Sequence, residues 1–324
     1  MDLTKFNFEP SSVADFMQTA TIDIGDELQL CVEVGGNPDN PPLLLIMGLG
    51  SQLVFWPDDF VKALIDAGFF VIRFDNRDIG LSSKIARPFP RFPINNVKMM
   101  LRMQVGLTNR HFPVAYNLFD MVEDTRRLID KLGLKNVYAV GASMGGMIAQ
   151  ILAAKYPKKV SKLGLMFTSN NKPFLPPTKP KQLQTLLSHP KTTQMDDVVA
   201  YGVWCMQRIG SPNHVDEAEV ARLIRLRFER SYHPRGTLQQ LQAILATGSI
   251  VKYDQKIKQP TLIIHGEKDG LVPPSHGKAI AKAIPHSEFH LIKGMGHDLA
   301  KPFIPKIVGL LVHHYFDTQQ LKHG

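Results

Sequence analysis

The apolar run Val137–Val140, the pentapeptide Gly141-Ala142-Ser143-Met144-Gly145 and the Ala-, Met- and Ile-rich run behind it constrain this chain more than any other stretch. A short apolar run, then small residues, then a segment apolar nearly all round predicts a buried strand turning sharply into a central helix packed on a sheet. Pro157 ends that helix. Gly141 and Gly145 let the corner close, and the serine between them is lifted clear of the sheet, which is the geometry of a nucleophile elbow. Gly-x-Ser-x-Gly alone is also the pattern of an ordinary turn with Ser143 as a helix N-cap, so the rest of the chain has to decide.

A serine hydroxyl attacks at neutral pH only with a base in reach and a third group to orient that base. Pro260–Ile264 reads as a buried strand that runs into a loop carrying Asp269, the candidate orienter. Ser287–Ile292 reads as another strand, and the loop after it, Lys293-Gly294-Met295-Gly296-His297, offers His297 as the candidate base. Taken singly, Asp269 is a turn former and His297 is one of 12 histidines. Together the three candidates stand in the order Ser, Asp, His, each behind a separate strand, which favours the catalytic reading. Acyl transfer also needs N–H donors for the oxyanion. Met144 N–H, next after the nucleophile, is one candidate. The Gly48-Leu49-Gly50 turn after the apolar run Pro42–Met47 supplies the other, at Leu49 or an immediate neighbour.

Composition narrows the alternatives. A chain of 324 residues with 44% hydrophobic content has enough apolar surface for one large α/β domain with an insertion. The N-terminus lacks a basic-then-apolar leader and no run approaches a membrane span, so the expectation is a cytoplasmic protein without a stable membrane anchor. Cys31 and Cys205 give neither a disulfide framework nor a metal-ligand cluster, so no metal is expected. The net charge of +9 comes from dispersed Lys and Arg with no nucleic-acid motif, which reads as a solvated basic face.

Strand and helix patterns alternate along the chain, the signature of a mostly parallel sheet with helices on both faces. Two stretches break the alternation. The first, 82–115, holds Pro88–Pro93 and the apolar residues Val97, Met99, Met100, Leu101, Met103 and Val105. Its Met cluster reads either as a lid that touches a membrane or gates substrate, or as a short packed helix. The second, 170–251, carries several amphipathic helical patterns and is read as a helical cap inserted into a core of 1–169 and 252–324, over the carboxyl ends of the strands. Within it Phe174, Trp204 and Met206 are candidates for the substrate pocket, with cap core as the competing role.

Met47-Gly48-Leu49-Gly50, Trp56-Pro57, the run from Val71 through Arg73, Asp75, Arg77 and Asp78 to Ser82, and Gly141–Gly146 resemble the α/β-hydrolase superfamily. Within it they resemble the aclacinomycin methylesterase-like branch of carboxylic-ester hydrolases. The likeness runs from about Thr19 onward. It implies the α/β-hydrolase fold with an inserted cap, no cofactor, a Ser143–His297–Asp269 triad, and a structural role for Arg73, Asp75, Arg77 and Asp78 in bracing the loop near the oxyanion turn. Met47 stands where many superfamily members have His-Gly. The absence of His-Gly-Gly-Pro-Gly speaks against a prolyl iminopeptidase, and the serine speaks against dehalogenases and most epoxide hydrolases. The 82–115 insertion is longer than that branch leads one to expect.

The expected activity is therefore hydrolysis of a small or medium carboxylic ester, methyl esters and lactones included, acting on a small molecule and not on nucleic acid. Carbon–carbon bond hydrolysis and cofactor-free perhydrolysis by the same triad stay open as alternatives. So does a non-catalytic ligand-binding protein on the same fold. The oligomeric state is not legible in the sequence.

Overall fold

The computed structural model describes residues 3–86 and 94–320, so Pro88–Pro93 lie outside the described residues. Nine strands form one sheet: β1 (Glu9–Pro10), β2 (Gln18–Gly25), β3 (Leu28–Gly35), β4 (Pro42–Ile46), β5 (Phe70–Phe74), β6 (Val137–Ala142), β7 (Val160–Met166), β8 (Thr261–Gly266) and β9 (Ser287–Ile292). The order across the sheet is β1-β2-β3-β5-β4-β6-β7-β8-β9. Pairs from β1 through β5 along the β3 side are antiparallel, and every pair from β5–β4 to β8–β9 is parallel. The parallel part brings the carboxyl ends of β4, β6, β7 and β8 to one edge, where an open α/β sheet builds its site.

Eleven helices are present among the described residues. Four belong to the first half: α1 (Asp58–Asp66), α2 (Asn96–Gln104), α3 (Leu118–Lys131) and α4 (Met144–Lys155). Between β7 and β8 run α5 (Pro180–Leu187), α6 (Met195–Ile209), α7 (Glu217–Arg230), α8 (Pro234–Thr247) and the short α9 (Val251–Asp254). Then come α10 (Pro274–Ala283) and α11 (Ile304–Gln320). Each central strand divides its side chains between two apolar layers, as a period of two requires. Leu44 and Ile46 of β4 join a layer with α3, α4 and α10, whereas Leu43 and Leu45 join one with α1 and α11. All four are fully buried, each side chain contributing roughly 2 kcal/mol by area.

The charged cluster that runs from the end of β5 into the loop after it is paired with groups elsewhere in the chain. Arg73 pairs with Glu33 at 2.7 Å, Arg77 pairs with Asp124 at 2.5 Å, and Asp75 pairs with Arg230 of α7 at 2.6 Å. Asp75 also accepts from Leu53 N–H at 2.7 Å and Leu81 N–H at 2.9 Å, and Asp78 accepts from Ile85 N–H at 2.6 Å. The side chains of Arg73, Asp75 and Arg77 are buried together with those of their partners, and removing one partner leaves an uncompensated ion.

The Met cluster of the 82–115 stretch forms α2. Met99 is fully buried and Met100 and Met103 partly so, against Leu241, Leu245 and Ala246, while Val97, Leu101 and Val105 face outward. Among the described residues no helix is long and apolar enough to cross a membrane, and no group of three His, Cys, Asp or Glu side chains is placed to hold a metal ion.

Asp254 of α9 is a buried carboxyl with one donor, Asn170 Nδ2 at 2.8 Å, and no partner on Oδ1. Burial pushes it up to about 7, against a small opposing pull from Asn170. The folded state thus holds a proton that the unfolded state releases near pH 4, so this group lowers stability as pH rises from about 4 to about 7, with the full penalty above that. Asp254→Asn is expected to be more stable than the wild type at pH 8, by up to ~4 kcal/mol, with the gap closing towards pH 4. Urea midpoints at the two pH values check it, and a gap independent of pH would reject the assignment.

Candidate active site

Ser143 stands between β6 and α4 with φ 52° and ψ −118°, a strained backbone for a residue with a side chain. Closure of the corner depends on the absence of a Cβ at Gly145, where one would lie 1.9 Å from Ile46 O. Ser143 N–H donates to Met166 O at 3.0 Å, and Thr168 Oγ1 donates to Ser143 O at 2.6 Å, which fixes the turn to the end of β7. Ser143 is partly exposed whereas Met144 is fully buried.

The turn after β4 lies directly against the serine. A Cβ on Gly48 would stand 3.1 Å from Ser143 Cβ and 3.8 Å from its Oγ. Leu49 N–H and Met144 N–H take no acceptor among the described residues. The turn after β4 and the start of α4 thus meet at Ser143, and these two N–H groups are the candidate donors for an oxyanion.

Asp269 and His297 are brought together. His297 Nδ1 lies 2.7 Å from Asp269 Oδ2, and the other carboxylate oxygen accepts from Leu271 N–H at 3.0 Å and Val272 N–H at 2.9 Å. Burial alone would raise Asp269, but the imidazoles of His297 and His265 outweigh it and hold the carboxyl down at about 2. With Nδ1–H committed to the carboxylate, Nε2 carries the lone pair. The His297 ring packs on Phe167 at a centroid distance of 4.9 Å, and Phe167 directly follows Met166, the residue that holds Ser143 N–H. No hydrogen bond joins Ser143 to His297 among the described residues; such contacts commonly form only when substrate is bound. A second serine–imidazole contact, Ser169 Oγ to His276 Nδ1 at 2.7 Å, lacks an acid behind it, since His276 Nε2 donates to Pro176 O at 2.9 Å.

Several residues that hold this arrangement carry no signal in the sequence. Gly50 N–H donates to Gln240 Oε1 at 2.9 Å and Gly50 O accepts from Arg227 Nη2 at 2.5 Å, so α7 and α8 grip the turn on both its polar atoms. Gln52 Nε2 returns the contact to Arg227 O and Ser231 O, both at 2.9 Å. At the histidine loop, His297 N–H donates to Ile209 O at 2.8 Å and Gly296 N–H to Ser211 Oγ at 2.9 Å. Asp298 accepts from Ser211 N–H at 3.0 Å and from Ser211 Oγ.

The pocket candidates divide. Trp204 is partly buried, stacked on Tyr201 with 5.6 Å between ring centroids and covered by the Arg208 guanidinium at 3.8 Å; Met206 is also partly buried. Phe174 joins neither a pocket nor the core of the inserted helices. It is 77% exposed with φ 63°, and its N–H donates to Gln104 O at 2.9 Å at the end of α2.

Comparison with known proteins gives a consistent fold assignment. The family profile described as alpha/beta hydrolase fold matches residues 41–301. Rhodomycin D methylesterase DnrP of Streptomyces peucetius is 26% identical over 301 residues, covering 85% of this chain and 90% of that protein. A poly(3-hydroxyalkanoate) depolymerase of Ectopseudomonas oleovorans is 31% identical over 259 residues, covering 79% and 78%. Among solved structures, the 2-hydroxy-6-oxo-6-phenylhexa-2,4-dienoate hydrolase of a Rhodococcus species superposes with a TM-score of 0.70 at 18% identity, covering 92% of this chain and 98% of that one.

Proposed function

The chain belongs to the α/β-hydrolase fold family, and from that premise we propose that it is a serine hydrolase acting on a small or medium carboxylic ester, methyl esters and lactones included. The observation that carries the reading is the buried Asp269 carboxylate bonded to His297 Nδ1 at 2.7 Å, on the same strand-end edge as the strained Ser143. A buried acid spent on orienting one imidazole has little purpose unless the other ring nitrogen handles a proton. The names of the two relatives, a methylesterase and a polyester depolymerase, both point to ester bonds.

Attack of Ser143 Oγ on the ester carbon forms the C–O bond while His297 Nε2 takes the hydroxyl proton. Asp269 stabilises the resulting imidazolium without itself becoming protonated. Leu49 N–H and Met144 N–H hold the oxyanion. Collapse of the intermediate breaks the bond to the alcohol, which leaves with the proton from Nε2, or stays tethered in a lactone. Water then loses its proton to Nε2, attacks the acyl-enzyme, and the proton returns to Ser143 as the acid departs. The helices of 170–251 act as the cap over this site, with Trp204 and Met206 as candidate contacts for the acyl group.

The test is labelling with a fluorophosphonate followed by a panel of nitrophenyl esters, methyl esters, lactones and a vinylogous diketone. Wild-type protein is expected to be labelled on Ser143 and to turn over at least one ester. Absence of both labelling and turnover would overturn the proposal, and turnover of the diketone alone would transfer the site to carbon–carbon cleavage.

A further inference from the structure

The outer face of α2 is apolar where a solvated helix should be polar. Val97, Leu101 and Val105 recur every four residues and so form one stripe, opposite the stripe that buries Met99. Leu101 is 64% exposed, and Val97, Val105 and nearby Leu107 are each about half exposed. Phe174 extends the patch, since its N–H bonds to Gln104 O at the end of α2. It is the most exposed large apolar side chain among the described residues and sits at φ 63°, a conformation a bulky residue adopts only against strain. Five apolar side chains held out of the core on one face mark a contact surface.

The charge around that face states what kind of surface it meets. The chain has 29 Asp and Glu, yet none falls between Asp78 and Asp120, between Asp130 and Asp196, or between Glu229 and Asp254. Those stretches contain α2, the segment bearing Phe174, and α8 beneath them. The basic residues there include Lys98, Arg110 and Lys172, all exposed. An apolar stripe beside exposed cations, on stretches of chain that carry no acidic residue, complements an anionic lipid surface: the side chains enter the acyl boundary and the cations stay at the headgroups. We propose that the outer face of α2, with Leu107 and Phe174, docks on anionic membranes. Bound there, the protein would present the α2 and α8 side of its inserted helices to the lipid, and the docking does not depend on the catalytic reading.

Flotation of the full-length protein with vesicles tests it, using phosphatidylcholine alone and phosphatidylcholine with about a third phosphatidylglycerol. Wild-type protein is expected to float with the anionic vesicles at least tenfold more than with the neutral ones, and to be released as salt is raised. Leu101→Asp/Val105→Asp should lower binding at least tenfold while turnover of a soluble ester and the circular dichroism spectrum stay at wild-type levels. Lys98→Glu/Lys172→Glu should remove the preference for anionic lipid, at about fivefold per charged residue lost. The proposal is overturned if wild-type protein floats with neither vesicle, if it floats equally with both regardless of salt, or if the apolar substitutions leave binding unchanged. It is equally overturned if those substitutions instead abolish a concentration-dependent self-association, which would assign the face to a second copy of the chain.

Discussion

Ser143→Ala is expected to lower kcat on a short nitrophenyl ester by roughly a hundred-thousand- to a million-fold and to abolish fluorophosphonate labelling. The size follows from what is lost. Without Oγ there is no acyl-enzyme, so His297 and Asp269 have no nucleophile to activate, and the residual rate rests on bound water and the Leu49 and Met144 N–H donors. Folding should be little affected: the substitution removes one oxygen from a partly exposed side chain for which no hydrogen bond is found among the described residues. The φ of 52° at this position is strained for alanine as for serine. Active-site titration of the variant by single-turnover kinetics checks it, with a thermal melt as the control. A variant that folds and keeps even a tenth of wild-type turnover would mean that the ester is cleaved elsewhere.

The second large effect belongs to Asp269→Asn, expected to cost roughly ten-thousand-fold in kcat with the fold intact. The local hydrogen bonds decide how the amide must sit. Leu271 N–H and Val272 N–H both point at one oxygen position, at 3.0 and 2.9 Å, so the carbonyl of the new side chain is pinned there. Its NH2 group then faces His297 Nδ1, where a donor forces the imidazole to the opposite tautomer and places the hydrogen on Nε2. Such a ring cannot take the Ser143 proton. Because Asp269 is held down at about 2, its contribution to folding is complete above its unfolded value near 4 and is lost only as pH falls towards 2. At pH 7 the variant therefore forfeits that contribution in full, and a thermal melt run beside the kinetics separates the tautomer effect from lost folding. A loss of less than tenfold would leave Asp269 as a turn former and remove it from the chemistry.

Much of the site was legible because its residues are announced by their neighbours. Ser143 lies between a strand and a helix that each have a strong apolar pattern, and Asp269 and His297 lie just past the ends of strands that the same pattern predicts. Phe174 shows where this kind of reading fails. A phenylalanine among prolines suggests pocket or core, but this one is exposed, on a segment tied to α2 by the hydrogen bond from its N–H to Gln104 O, 70 positions away and invisible in any local window. The Met cluster of 82–115 fails differently. Its methionines lie on the stripe of α2 that packs on α8, while the opposite stripe faces out, a division that only the packing partner sets.

Local patterning was enough to read the layered α/β architecture, the sharp turn at Ser143 and the three candidate catalytic side chains, because each depends on residues within a few positions of one another. What holds them in register comes from contacts between distant parts of the chain. Gln240 and Arg227 reach Gly50 across 190 and 177 positions, and Ser211 reaches Gly296 across 85. A polar side chain in a helix carries no mark of the distant backbone group it will satisfy. That pairing is set by how the inserted helices pack on the sheet, and buried N–H and C=O groups then accept whichever partner the packing delivers.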